Sequence, residues 1–376
     1  MTNYFPTKLA KGSAFCNRRE ELTRLKYNIE AINPVLILSP RRYGKTSLSF
    51  RAFEQLKWPY VQVDLYKAFT EEDIEKFILN GIGVLLGKLE RAPKKLIALA
   101  ADFFSNIHIS VSIEKDGLSL DFSKRKKTPA ENILKALERL HDVAEKRRKK
   151  IILYLDEFQV VGEVCKDYAI EAALREVAQK SEYVAFVFSG SDRHLIEQLF
   201  NDKKRPFYKL CDVITLDRIS GADYEHHLQK ASLEKWSSEL SRNTVEMILE
   251  HTERHAYYLN KLCSILWRGN QPTPNMVSDV WINFVSENKS PIERELSLLT
   301  INQRKILTVI AEENGIIEPF GKVFLSKINM SNSSAARAMK LLLEKDYVLV
   351  EGKNNKYKIL DPLIKCVLAN NFNSPL

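Results

Sequence analysis

The chain has 376 residues, 45% of them hydrophobic and 28% charged, with only 13 Gly and 13 Pro; this excludes a collagenous or broadly disordered protein and points to two or three packed domains. Fifty-seven Lys and Arg against 48 Asp and Glu give a formal charge of +9, which favours a polyanionic partner such as nucleic acid or nucleotide, although a solvated basic surface has the same sign. Cys16, Cys165, Cys211, Cys263 and Cys366 form no CxxC pair and are odd in number, which argues against a disulfide framework or zinc site, and no apolar run approaches the roughly 18 residues of a membrane span, so a soluble cytoplasmic protein with reduced thiols is expected.

Residues 18–30 have helical periodicity and end at Asn33-Pro34, a pair that disfavours continuing the helix. Val35-Leu36-Ile37-Leu38 then reads as a strand buried on both faces, and Ser39-Pro40-Arg41-Arg42-Tyr43-Gly44-Lys45-Thr46 leads from it into a helix beginning near Ser47. A second strand is expected over residues 60–65, with Asp64 near its C-terminal edge, and an inserted hairpin over 107–122, where apolar and polar residues alternate up to an Asp116-Gly117 turn. The helix from Pro129 to Lys150 closes in five consecutive cations, Lys146 to Lys150. These suit either a solvated helix C-terminus or a nucleic-acid contact.

Apolar strands follow at Ile151–Leu155, Val184–Phe188 and Val213–Leu216, and their alternation with helices predicts an α/β fold with a parallel sheet covered on both faces. Residues 220–290 show only helical patterns and read as a small lid. From 291 to 376 the order is helix (301–313), helix (321–328), helix (334–345) and a hairpin around Gly352-Lys353-Asn354-Asn355, the pattern of a winged helix. The expected domains are therefore 1–219, 220–290 and 291–376.

Two motifs carry chemistry. A phosphate-binding loop needs a tight turn whose backbone N–H groups face phosphate, a Lys to neutralise charge and a Ser/Thr hydroxyl for magnesium. Gly44, Lys45 and Thr46 meet that need, with Ser39 in place of the first consensus Gly; the cofactor-binding candidates are Ser39, Pro40, Arg41, Arg42, Tyr43, Gly44, Lys45, Thr46 and Ser47. Arg41 and Arg42 suit phosphate, acidic neighbours or solvent. The second motif is the apolar strand ending in Asp156-Glu157: Asp156, with Thr46, would hold magnesium, while Glu157 would orient or deprotonate the attacking water.

Phe15-Cys16-Asn17-Arg18-Arg19-Glu20-Glu21-Leu22, SPRRYGKTSL, IILYLDEFQ and the ending LLLEKDYVLVEGKNNKYKILDPL resemble, over nearly the whole length, the archaeal-type ATPase family within the STAND and AAA+ group of P-loop proteins. The resemblance implies that Phe15 and Arg18 lie near an adenine, that Ser189 or Ser191 is a sensor of γ-phosphate or lytic water, and that Arg205 is an arginine finger acting on a neighbouring subunit. It also marks a departure. The family's lid has a Gly and a Pro where this chain has Arg254 and Ala256, around His255, a candidate nucleotide contact.

The expectation is an ATPase, with ATP and Mg2+ as ligands, working as a conformational switch. Its winged helix would contact double-stranded DNA through Arg337, Lys340, Lys353 and Lys356 or else engage a protein partner, and homo-oligomers are compatible with the family. The alternative is a weakly hydrolytic, nucleotide-gated adaptor in signalling or defence.

Overall fold

A computed structural model describes residues 3–105, 110–114, 117–122, 127–352 and 354–369. The chain forms two compact units: a sheet unit from the described residues of Arg18–Arg41 and Lys45–Leu216, and a helical unit from those of Met1–Asn17, Arg42–Gly44 and Asp217–Leu376.

The sheet unit runs α1 (Arg19–Glu30), β1 (Val35–Leu38), α2 (Lys45–Leu56), β2 (Tyr60–Asp64), α3 (Glu71–Leu89), α4 (Pro93–Ser105), β3 (Ser110–Glu114), β4 (Gly117–Asp121), α5 (Pro129–Lys146), β5 (Ile151–Asp156), α6 (Gln159–Val164), α7 (Ala169–Lys180), β6 (Val184–Gly190), α8 (Arg193–Asn201) and β7 (Asp212–Thr215). Five strands pair in the order β2-β5-β6-β1-β7, every pair parallel. Position in this order explains the residue patterns. The interior strands β1, β5 and β6 are buried at every residue, so they read as continuous apolar runs. Edge strand β2 alternates, with Val61 and Val63 buried and Gln62 and Asp64 less covered.

Local chemistry sets the helix starts. Thr70 and Asp73 form a capping box on α3, as do Thr128 and Glu131 on α5, each satisfying N–H groups that the first turn leaves open. α5 stops at Lys146, short of the expected Lys150. Arg147 donates instead to the Leu89 carbonyl at 2.6 Å and Lys150 to the Glu30 carbonyl at 3.0 Å, so two of the five cations serve the C-terminal ends of α3 and α1, where the helix dipole favours positive charge. The inserted hairpin pairs Ser110–Glu114 with Gly117–Asp121 antiparallel; residues 107–109, 115 and 116 of that expectation lie outside the described residues.

The helical unit contains a short 3-10 turn (Gly12–Ala14), α9 (Gly221–Trp236), α10 (Arg242–Thr252), α11 (Ala256–Leu266), α12 (Pro274–Ser297), α13 (Ile301–Glu312), α14 (Lys322–Ile328), α15 (Asn332–Glu344), β8 (Val348–Glu351), β9 (Lys356–Ile359) and α16 (Pro362–Leu368). Residues 290 and 291, where the sequence pattern puts a domain join, lie inside the continuous helix α12. α13 to β9 supply the three helices and hairpin of a winged helix, with one extra bridge between Ile316 and Tyr357. α16 has no counterpart in the pattern reading; Asp361 starts it, accepting from the N–H groups of Leu363 and Ile364. Tyr4 and Phe5 are buried against His227 and Trp267 in this unit. No helix among the described residues is long and apolar enough to cross a membrane.

Helix α3 lies close enough on β2 that a Cβ added at Gly81 would meet Val63 Cγ2 at 2.5 Å. Gly81→Val should therefore lower the stability of the sheet unit by about 1–3 kcal/mol through overpacking, read as a lower urea midpoint.

Candidate active site

The carboxyl ends of β1, β5 and β6 share one edge of the sheet. Register sets Ile37 of β1 opposite Ser189 of β6 and Leu155 of β5 opposite Phe188 of β6, so β6 stands between the strand that leads into the Gly44-Lys45-Thr46 loop and the strand that ends in Asp156. Lys45 opens α2, and its buried ammonium donates to the carbonyls of Ser39 at 3.1 Å and Pro40 at 3.5 Å. The expected helix start near Ser47 thus comes two residues earlier. Thr46 follows Lys45 on the first turn of the same helix, half-buried.

Asp156 is buried beside this loop and holds three donors. Ser189 Oγ and the Glu157 N–H, the latter at 3.1 Å, donate to Oδ1, and Gln62 Nε2 donates to Oδ2 at 2.8 Å. Burial pushes the Asp156 carboxyl up from its ordinary value, Ser189 opposes this, the Glu157 charge adds to it, and the Lys45 ammonium pulls it back down. The Lys45 ammonium and the Asp156 carboxylate therefore act on one another electrostatically. Ser189 is itself fixed by Tyr154, whose hydroxyl lies 2.8 Å from Ser189 Oγ.

Glu157 sits at φ 54, a left-handed backbone that turns the chain sharply out of β5. The turn is anchored where the Phe158 N–H donates to the Ser189 carbonyl at 2.8 Å. Its carboxylate accepts from Gln159 Nε2 at 2.5 Å and Ser191 Oγ at 2.7 Å, both on Oε2. The two serines proposed as alternatives for one sensor role thus have separate partners, Ser189 on Asp156 and Ser191 on Glu157.

Residues 42–44 belong to the helical unit. Arg42 and Gly44 have φ of 65 and 95; Arg42 lies over the Tyr257 ring at 4.3 Å, and the Tyr43 ring meets His255 edge-on at 4.9 Å. His255 occupies the N-cap position of α11 without a side-chain cap bond and is buried, its Nδ1 lacking a hydrogen-bond partner. Burial, reinforced by Arg218 and Arg42, lowers its pKa to about 3, so the ring is neutral. Arg218 gathers this region: it donates to Tyr43 OH at 3.3 Å, to the Glu253 carbonyl at 2.8 Å and carboxylate at 2.7 Å, and to the Leu360 carbonyl at 2.8 Å. The other Glu253 oxygen accepts from Lys365 of α16. Glu253 and Arg254 both have left-handed φ, 45 and 59, at the turn between α10 and α11, and Glu253 carries two ion pairs there, with Arg218 and Lys365.

The remaining candidates are dispersed. Arg18 is buried and pairs with Glu21 at 2.9 Å, while Phe15 closes the 3-10 turn of the helical unit. Arg41 is exposed. Arg205 stacks over Tyr168 at 4.4 Å and pairs at 3.2 Å with Glu171, a wholly buried carboxylate that burial pushes up to about 7 against the pull of Arg205. On α15, Ala335 and Met339 are core residues, whereas Arg337 and Lys340 are exposed, Lys340 at 3.7 Å from Glu344. Lys356 is half-buried, and Lys353 lies outside the described residues. Sequence reasoning missed Gln62, Gln159, Arg218, Glu253 and Lys365; Gln62, Gln159 and Glu253 sat in segments that drew notice, the second strand, the acidic motif and the lid turn, but nothing in those segments gave their partners.

Residues 293–370 match the family model described as a probable winged helix domain. The structure is similar to a Walker-type ATPase of Pyrococcus abyssi, with 18% identity, 97% of this chain and 99% of that one covered and a TM-score of 0.69. It is also similar to the ORC2 protein of Aeropyrum pernix, both in its ADPNP-ADP complexes (14% identity, 98% and 96% covered, TM-score 0.59) and in its ADP form (14%, 99% and 98%, 0.55). A search of curated proteins finds no match. The chain thus has the fold of the archaeal AAA+ P-loop ATPases, closed by a winged helix.

Burial works to raise the Glu253 pKa, but Lys365 and Arg218 together hold it below its ordinary value. The stability this contributes is complete above the usual glutamate range and is lost as pH falls through the depressed native value. Thermal melts of Glu253→Gln across pH 3 to 7 should accordingly show a smaller acid-induced fall in melting temperature than the parent protein.

Proposed function

We propose that the protein binds ATP with magnesium at the carboxyl edge of its sheet and hydrolyses it slowly, as a nucleotide-driven conformational switch. The observation that carries this reading is the joint environment of Asp156: one buried carboxylate answered by the Lys45 ammonium, with Glu157 beside it. A mere pair of helix-capping acids has no need of a buried lysine.

The residues fit magnesium. Thr46 offers a hydroxyl and Asp156 a carboxylate whose bonded donors, Ser189, Gln62 and the Glu157 N–H, are all neutral; hard oxygen ligands of this kind suit a small divalent cation. Bound there, the ion would neutralise charge on the β- and γ-phosphate oxygens. Lys45 does the same from the loop side once its ammonium leaves the Ser39 and Pro40 carbonyls. Glu157 orients the attacking water and accepts its proton, and Ser189 holds Asp156 in place. Arg205, engaged by Glu171 and Tyr168, would have to leave both to act on a neighbouring subunit, which fits slow unstimulated turnover. Lys45→Ala should abolish nucleotide binding in calorimetry. Glu157→Gln should bind ATP with unchanged affinity and lose about 10²- to 10⁴-fold in turnover; hydrolysis at the parental rate would remove Glu157 from the mechanism.

For the winged helix, exposed Arg337 and Lys340 on α15 support contact with duplex DNA phosphate. Exposed Ile317 and Val323, at 56% and 72%, favour a protein partner instead. The DNA reading requires duplex binding that weakens with salt, with Arg337→Glu and Lys340→Glu each lowering the slope of log K against log salt by about 1; no binding at low salt leaves the protein partner.

A further inference from the structure

Gln159 is the first residue of α6, is 4% exposed, and touches the site through a single side-chain hydrogen bond, from Nε2 to Glu157 Oε2 at 2.5 Å. Its own Oε1 is buried without a hydrogen-bond partner. A buried amide with one end unsatisfied costs about 1–3 kcal/mol, so Gln159 is an unfavourable choice for packing alone. Room for it comes from Gly190, where an added Cβ would stand 2.6 Å from Gln159 Oε1: the side chain lies across the bare Cα at the end of β6. The donor direction follows from the charge it meets, since a carboxylate accepts from the amide NH₂ and would repel the amide oxygen.

We propose that Gln159 is a positioning residue for Glu157. Glu157 projects from a left-handed turn on a side chain with three rotatable bonds, and without anchors its carboxylate would sample many orientations. Gln159 and Ser191 both bind Oε2, whereas Oε1 accepts no hydrogen bond among the described residues. Anchoring one oxygen fixes where the other points and leaves Oε1 to receive the proton of the attacking water. The anchors come from two different elements, Gln159 from the helix after β5 and Ser191 from the loop after β6, so the carboxylate is tied to both. Gln159 never touches the reacting atoms; it acts through Glu157.

This inference rests on the ATPase reading above, and the test separates the two. ATP turnover and nucleotide affinity are measured for the parent, Glu157→Gln, Gln159→Met and the double variant, Met being near the volume of Gln but unable to donate. Gln159→Met should lower kcat by about 10- to 100-fold with KM and nucleotide affinity within about twofold, and it should cause no further loss in the Glu157→Gln background, because the anchor has nothing left to hold. An unchanged kcat in Gln159→Met overturns the inference, as does an equal proportional loss with and without Glu157. If Gln159→Met loses its cooperative melt, Gln159→Asn takes its place, keeping an amide that is one methylene too short to reach Oε2. Glu157→Gln inactive with Gln159→Met fully active defeats the inference alone; no turnover by the parent, or parent and Glu157→Gln turning over alike, defeats the ATPase reading and the inference with it.

Discussion

A charged carboxylate at the end of a strand buried on both faces is costly unless its surroundings replace the water it has lost. Asp156 is in that position, and much of the sheet unit's architecture follows from accommodating it. Strand β2 on one side supplies Gln62, strand β6 on the other supplies Ser189, the turn after β5 supplies the Glu157 N–H, and the loop after β1 supplies the Lys45 charge. Three segments distant in sequence, carrying Gln62, Ser189 and Lys45, thus meet on one functional group. Tyr154, completely buried two residues earlier on the same strand, steadies the serine from below.

The strand order makes this possible. Placing β6 between β1 and β5 gives Asp156 a hydrogen-bonding strand on each flank while keeping the loop's lysine near enough to act on it. The same insertion puts the β6 carboxyl end, Ser189 to Ser191, directly under the turn that carries Glu157. The side chains that hold the acidic pair are therefore divided: those on Asp156, Gln62 and Ser189, come from the sheet, and those on Glu157, Gln159 and Ser191, from just beyond it.

The helical unit solves a different problem. At Glu253 and Arg254 it adopts a left-handed turn with residues that have side chains to accommodate, and it balances the strain with ion pairs. Arg218, from the segment following β7, binds Tyr43, Glu253 and the Leu360 carbonyl at once. Through it, residues of the loop 42–44, of the turn between α10 and α11 and of the winged helix share one buried polar cluster. His255 fits the same cluster as a neutral ring, contributing packing against Tyr43 and Tyr258.

Which parts were legible follows from the range of the forces involved. The five sheet strands and the winged-helix order were written locally, because a strand covered on both faces must be apolar throughout and a run of helical periodicity marks itself within a few turns. Lys45 and Asp156 could be picked out as candidates as well, since each motif is contained within a few residues. The partners were not: Gln62, Ser191 on Glu157, Glu171 on Arg205 and Lys365 on Glu253 are fixed by strand order and helix docking, with sequence separations of tens to more than a hundred residues. A side chain's chemical capability belongs to the residue and can be read in line; what it is paired with depends on which segments the burial of apolar surface brings together, and only the folded chain decides that.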